Sequence, residues 1–194
     1  MTVSAESIRV MHPLFQAGQG GSIPTSALSL FVDVISFERA RRLNRLWHSR
    51  LPRLGTGCID RQPFLCYASV FEGLIYAVAI WSNPVARNLP QQEWMELRRL
   101  AIAPDAPRNT ASRMLAVMAR LIRRCRPTVK VLVSYQDTEA HTGAIYRASG
   151  WTATTLSGKG DWNRPLSRNQ NGSPRTRPKA QSEAPKQRWE KRLA

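Results

Sequence analysis

The residues Val131-Leu132-Val133-Ser134-Tyr135-Gln136-Asp137, followed closely by His141-Thr142-Gly143-Ala144-Ile145-Tyr146-Arg147-Ala148-Ser149-Gly150-Trp151, decide how the chain reads. A short apolar run that ends in polar residues reads as a buried strand, and the segment after the turn is helix-like. A carboxylate, a histidine and a tyrosine follow the strand within a few positions. In α/β proteins chemistry is commonly built at the carboxyl ends of strands, where the sheet is rigid and the loops are free. The stretch therefore points to an enzyme, without naming a substrate.

Working outward, residues 64–70 and 74–80 are apolar runs separated by Phe71-Glu72-Gly73, which predicts a tight hairpin. Residues 94–102 form a third strand candidate, stopped by Pro104. The prolines at 104 and 107 prepare a helix capped by Asn109 or Thr110, running to about residue 124 and burying Met114, Leu115, Met118, Leu121 and Ile122. Over residues 28–47, Phe31, Val34, Ile35, Ala40, Leu43 and Leu46 recur at three and four. That spacing predicts another helix, with Arg39, Arg41, Arg42 and Arg45 on its polar side and His48 at its end. A strand at 151–156 closes the order α-β-β-β-α-β-α-β, an α/β fold in one domain over residues 31–156.

Residues 1–30, with Gly18, Gly20, Gly21 and Pro24, read as a flexible arm. Residues 157–194 hold ten Lys and Arg against three acids and read as a basic, largely disordered tail that orders on a polyanion. Its last piece, 186–193, carries one aromatic among cations. It either folds back on the domain or stacks on bases.

The 194 residues carry a net charge of +16, which speaks of partners rather than of fold. Nucleic acid is the leading candidate, ahead of anionic membrane surfaces. Cys58, Cys66 and Cys125 match no metal spacing and read as reduced intracellular thiols. No apolar run approaches the ~18 residues of a membrane span, and no secretory signal is evident. The expected location is the cytoplasm, with no membrane partner.

A second level of reading comes from known patterns. Tyr146, then three residues, then Gly150-Trp151 resembles a signature of the GNAT acetyltransferase superfamily. The resemblance spans about residues 35–156 and implies a mixed central sheet flanked by helices, with the tyrosine as general acid. That superfamily cradles the pyrophosphate of acyl-CoA with a glycine-bearing loop at a helix start. Here the place reads Pro107-Arg108-Asn109-Thr110-Ala111-Ser112, without glycine. Backbone N–H groups at a helix start still bind anions. The donor is left open between acyl-CoA and an aminoacyl-tRNA.

Glu96-Leu97-Arg98-Arg99-Leu100, Asn109-Thr110-Ala111-Ser112, Ser134-Tyr135-Gln136-Asp137 and the 141–146 segment, with Trp47-His48 upstream, are collinear with a narrower group. Together they resemble the Mom-like proteins of bacteriophages. These GNAT-fold proteins place a carbamoylmethyl group on the exocyclic amine of adenine in DNA, which shields phage DNA from restriction. The resemblance implies a phage- or prophage-encoded enzyme working in the bacterial cytoplasm. It carries over His48, Arg98 or Arg99, Ser112, Asp137 and Tyr146. Many relatives have His-Tyr where this chain has His48-Ser49, so the aromatic neighbour here is Trp47. The resemblance also raises ferrous iron, for which His48, Asp137 and His141 would form a two-histidine, one-carboxylate face.

The residues assign themselves roles consistent with this. Asp137 orients or deprotonates an amine, and Tyr146 protonates a leaving group. Arg98, Arg99, Asn109, Thr110, Ser112 and Ser134 hold the donor. Arg113, Arg120 and Arg124 form a stripe that tracks phosphates of double-stranded DNA, while Trp47 and Tyr135 grip an extruded adenine. Strand alternation puts Arg98 and Arg99 on opposite faces, and Glu96 shares the face of Arg98. Two rival readings stand beside this one. One is an ordinary N-acetyltransferase using acetyl-CoA on a small-molecule or protein amine. The other is a non-catalytic DNA-binding module on the same scaffold.

Overall fold

The computed structural model describes residues 23–48, 50, 51, 54, 64–158 and 184–193. Seven strands form one sheet. They are β1 (Phe31–Val34), β2 (Leu65–Phe71), β3 (Leu74–Ser82), β4 (Trp94–Ile102), β5 (Val131–Asp137), β6 (Thr152–Leu156) and β7 (Lys186–Arg192). The order across the sheet is β1-β2-β3-β4-β5-β7-β6. Every pairing is antiparallel except β4 with β5. Three helices accompany it: α1 (Phe37–Trp47), α2 (Thr110–Cys125) and α3 (Ala144–Ala148).

The hairpin between β2 and β3 is closed by Glu72 at φ 45° and Gly73 at φ 78°. Two consecutive left-handed residues give the turn whose twist matches that of paired strands. The parallel neighbours β4 and β5 need a crossover, and α2 supplies it. Its Met114, Leu115, Met118 and Ile122 are fully buried against Tyr67, Trp81, Leu97 and Leu132. On the opposite face α1 buries Ala40 and Leu43 over Cys66, Val78, Ile80 and Ala101.

Three expectations are corrected. Residues 28–36 are not α-helical: a short 3-10 turn at Ala27–Ser29 leads into β1, and α1 begins only at Phe37. Val32 and Val34 suit a strand, and Ser36 accepts the Arg39 N–H at 3.3 Å as the helix cap. The helical segment after β5 is also short, from Ala144 to Ala148. Most consequentially, the segment read as a largely disordered tail is ordered at its end: residues 186–192 fold back as β7 between β5 and β6, one of the two alternatives read for that piece. Residues 1–22 and 159–183, most of the two segments read as flexible, lie outside the described residues. Among the described residues no helix is long and apolar enough to cross a membrane.

Candidate active site

Two irregularities in the sheet build the site. The first is a bulge. Trp81 pairs with Leu97 and Ile80 with Arg99, so Arg98 is the extra residue on β4. Alternation changes phase there: Met95 and Leu97 precede it, and Leu100 and Ile102 follow it, in one and the same core cluster. The expectation that Arg98 and Arg99 face opposite ways is thereby overturned. Arg98 meets the Glu96 carboxylate at 3.4 Å and donates to the Ser82 hydroxyl at 3.5 Å. Arg99 lies on the same side of the sheet as α1 and donates from Nε to the Leu51 carbonyl at 3.2 Å.

The second is a split. β4 and β5 pair only through Trp94–Val131, Met95–Leu132 and Glu96–Val133. Beyond Glu96 and Val133 the two strands part, and β5 continues to Asp137 paired only with β7 on its other side. The gap opens toward the carboxyl ends of both strands. Glu96 stands at its apex on β4 and Ser134 at its apex on β5.

The first residue of β5 past the split turns toward α2 and α3. There the Ser134 hydroxyl shares a hydrogen bond of 2.8 Å with the Tyr146 hydroxyl. The Tyr146 ring stacks on Trp189 of β7 at 5.2 Å between centroids and meets Trp151 edge-on at 5.6 Å. Burial raises its pKa, and the Ser134 hydrogen bond only partly offsets that. The phenol therefore keeps its proton at neutral pH, as an acid must.

On the opposite face stand Tyr135 and Asp137, and the register places Arg188 and Lys186 of β7 directly beside them. Asp137 accepts from Lys186 Nζ at 2.7 Å and from the Glu139 N–H at 3.1 Å. Tyr135 is 39% exposed on an otherwise largely buried strand. Glu96 is buried, accepts the Val85 N–H at 2.8 Å, and has its carboxyl pKa raised by burial against the opposing pull of Val85, Arg98 and Arg99. Such a carboxylate is a better proton acceptor than a solvated one.

His48 caps the C-terminus of α1 and accepts the Leu51 N–H on Nδ1 at 3.1 Å. Burial, then the charge of Arg99, then His141, lower its pKa to about 4. The imidazole is neutral at pH 7, and with Nδ1 accepting, its proton sits on Nε2. Neither nitrogen then offers a lone pair to a metal, and the Asp137 carboxylate is already held by Lys186. His48, Asp137 and His141 thus do not fit the iron face expected of them. Among the described residues no three His, Cys, Asp or Glu side chains cluster as a metal site. Arg99 has its pKa lowered to about 10 by burial and by Arg98, and it stays charged.

At the start of α2, Asn109 adopts φ 67°. Asn is among the few non-glycine residues that enter this left-handed region at modest cost, so the missing glycine is replaced in conformation. The Thr110 hydroxyl donates to the Pro107 carbonyl at 2.7 Å and that of Ser112 to the Asn109 carbonyl at 3.1 Å. Both protons are turned into the loop, so backbone N–H groups are what the turn offers a ligand. Trp47 packs against the α1-side core, which makes it a poor free platform for a base. Of the arginine stripe, Arg113 donates to the Leu28 carbonyl at 3.0 Å, whereas Arg120 and Arg124 are exposed. A separate hollow of about 280 Å³ near Trp94, Gln91 and Arg126 lies at the other end of β4 and contains none of these groups.

The model of the Mom protein family matches residues 74–191, from β3 through β7. The chain belongs to the Mom protein family. No curated protein sequence matches it significantly. Its GNAT fold is seen in solved structures of low identity. The ribosomal-protein-S18-alanine N-acetyltransferase from Escherichia coli superposes with TM-score 0.57 at 13% identity, covering 85% of this chain and 94% of that one. An acetyltransferase from Bacillus subtilis, solved in complex with CoA, gives TM-score 0.59 at 9% identity, with 85% and 99% covered. A putative acetyltransferase from Salmonella typhimurium, with its cofactor acetyl-CoA, gives 0.56 at 12%, with 86% and 95% covered.

The structure brings Arg99 and His141 within electrostatic reach of His48, and joins Ser134 to Tyr146. Four side chains beside the split were not read from the sequence as site residues: Glu96, a buried carboxylate, and Lys186, Arg188 and Trp189 of β7. The one available signal for Glu96 was its position two residues before an arginine on a strand.

Proposed function

We propose that this Mom-family chain is a transferase that places a small acyl or glycine-derived group, carbamoylmethyl by family resemblance, on the exocyclic amine of adenine in DNA. The observation that carries the reading is the split between β4 and β5. It sets a buried carboxylate, Glu96, on one side and a protonated phenol tied to a serine, Tyr146 with Ser134, on the other. In acyl transfer the amine nitrogen bonds to the donor's carbonyl carbon as the bond from that carbon to the leaving group breaks, giving an amide. A carbamoylmethyl product, joined to the nitrogen through CH2, has to form by displacement at that CH2 carbon or by rearrangement of the glycyl amide. Glu96 accepts the proton the amine sheds, and Tyr146, refilled through Ser134, supplies one to the leaving group. Arg98 and Arg99 stabilise negative charge that develops between them.

Acyl-CoA suits the turn at the start of α2, where the left-handed Asn109 and the N–H groups of Ala111 and Ser112 would hold its phosphates. Bound there, the thioester supplies an activated acyl carbon. An aminoacyl-tRNA offers the same activated carbon and suits the net charge of +16. The charge and the exposed Arg120 and Arg124 support double-stranded DNA as partner. By family resemblance the product is DNA protected from restriction.

The test is expression in a bacterial host, digestion of total DNA to nucleosides and mass spectrometry. An altered deoxyadenosine that disappears with Tyr146→Phe is expected. Unmodified DNA from cells with confirmed soluble protein refutes the proposal. DNA-independent acetylation of an amine with acetyl-CoA would instead favour an ordinary N-acetyltransferase.

A further inference from the structure

The one aromatic side chain that β5 exposes has a support that the transfer chemistry does not use. Tyr135 lies on the α1 side just past the split, facing the gap from β5 as Glu96 does from β4. Arg188 is the residue opposite it on β7; burial raises the phenol's pKa, and the charge of that guanidinium pulls it down against the burial. Arg188 is itself fixed: Nε donates to the Thr154 hydroxyl at 3.1 Å, and a terminal nitrogen meets the Glu190 carboxylate at 2.8 Å. Thr154 donates in turn to Glu190 at 3.1 Å, closing a ring of three side chains across β6 and β7.

A guanidinium so held is not a swinging phosphate hook. Its charge is largely balanced by Glu190, and its direction is set by Thr154 and Glu190. What it achieves is to hold an exposed phenol ring still on a rigid strand. Pre-ordered aromatic faces bind flat rings well because little freedom is lost on contact. The surroundings carry Arg98, Arg99 and Lys186, so a flat ring arriving on a polyanionic strand is favoured over a neutral one.

We infer that Tyr135, braced by the Arg188–Glu190–Thr154 ring, is the seat on which the target nucleobase stacks with its amine toward Glu96. This rests on the DNA reading proposed above and adds the residues that hold the base. Arg188 acts through Tyr135 as a positioning residue.

The test uses the full chain and two fluorescein-labelled strands of fifteen units, one of deoxyadenosine and one of abasic sites with the same phosphates. Stacking on an aromatic side chain should make the deoxyadenosine strand bind at least about 5-fold tighter. Tyr135→Leu should abolish that preference while leaving abasic-strand affinity and its salt dependence unchanged. Tyr135→Phe should retain most of it, which separates loss of the ring from loss of the fold. Arg188→Met, which also removes a positive charge and so weakens both strands, should lower the ratio of the two affinities part-way. A preference that survives Tyr135→Leu overturns the seat. Equal binding of both strands by the unaltered protein also overturns it while leaving a polyanion-binding protein, and binding of neither strand overturns the DNA reading itself.

Discussion

Replacing Gly143 by alanine tests the junction of β5, α3 and β7 in one step. Gly143 has φ +75°, a conformation that costs an L-residue about 1 kcal/mol. A Cβ there would lie 2.5 Å from Cζ2 of Trp189 and 2.6 Å from the Gln136 amide oxygen. Both are closer than van der Waals contact, and both neighbours are fixed. Trp189 donates to that same oxygen at 2.7 Å and stacks on Tyr146, while Gln136 also donates to the His141 carbonyl. Overpacking of this kind adds about 1–3 kcal/mol, for a total of about 2–4 kcal/mol. For a chain of this size that lowers Tm by roughly 5–15 °C. The assay is urea and thermal unfolding of four proteins: the parent, Gly143→Ala, Trp189→Phe and the double variant. Phenylalanine removes the part of the ring nearest the new methyl. In the double variant the alanine should therefore cost less by the indole's share of the overpacking, while the backbone share and the contact with the Gln136 amide oxygen remain. If alanine costs the same in both backgrounds, the indole is not what confines Gly143 and the reasoning fails.

Three other outcomes are expected. The folded-state pKa of His48 lies at about 4, below its usual 6.5, so the unfolded chain takes up a proton first as pH falls. Its contribution is whole above pH 6.5 and is lost progressively down to pH 4, so His48→Gln should flatten part of the stability decline between pH 7.5 and 4.5 in urea melts. Lys186→Met should cost about 1–3 kcal/mol by stranding the half-buried Asp137 carboxylate. A double-mutant cycle with Asp137→Asn should return a coupling near 1 kcal/mol, and a coupling of zero would mean the pair is not formed in solution. Asn109→Gly should stay within about 1 kcal/mol of the parent, whereas Asn109→Val should lose about 1–2 kcal/mol. Equal melting of these two variants would remove the left-handed turn from the account.

The central strands and α2 are legible because period decides them. Trp94–Ile102 and Thr110–Cys125 fall within a residue or two of where their apolar spacing and prolines put them. The misreadings have local causes. Phe31, Val34 and Ile35 happen to fit a helical spacing, yet β1 is an edge strand with Phe31 71% exposed, so its pattern reports no buried face. β7 reads as Lys-Gln-Arg-Trp-Glu-Lys-Arg, with Trp189 its one apolar residue, because the stems of its long polar side chains cover the sheet where apolar ones would usually stand. At the site, residue types were legible and partners were not. Asp137 was visible as a carboxylate at a strand end, but its Lys186 lies 49 residues away. The bulge that swings Arg98 and Arg99 to one side depends on register with β3, which no spacing within β4 records.

The late position of β7 along the chain sets when the contacts around β5 can be completed. β5 has three paired residues on the β4 side and seven on the β7 side, so its principal neighbour is a strand that follows it by some fifty residues. Hairpins such as β2–β3 close locally and early, while a contact spanning some fifty residues waits on chain diffusion. Until residues 186–192 dock, Asp137 lacks its lysine, Tyr146 its stacking partner and Tyr135 its brace. A segment that filled the slot between β5 and β6 ahead of β7 would leave all three of these contacts unmade.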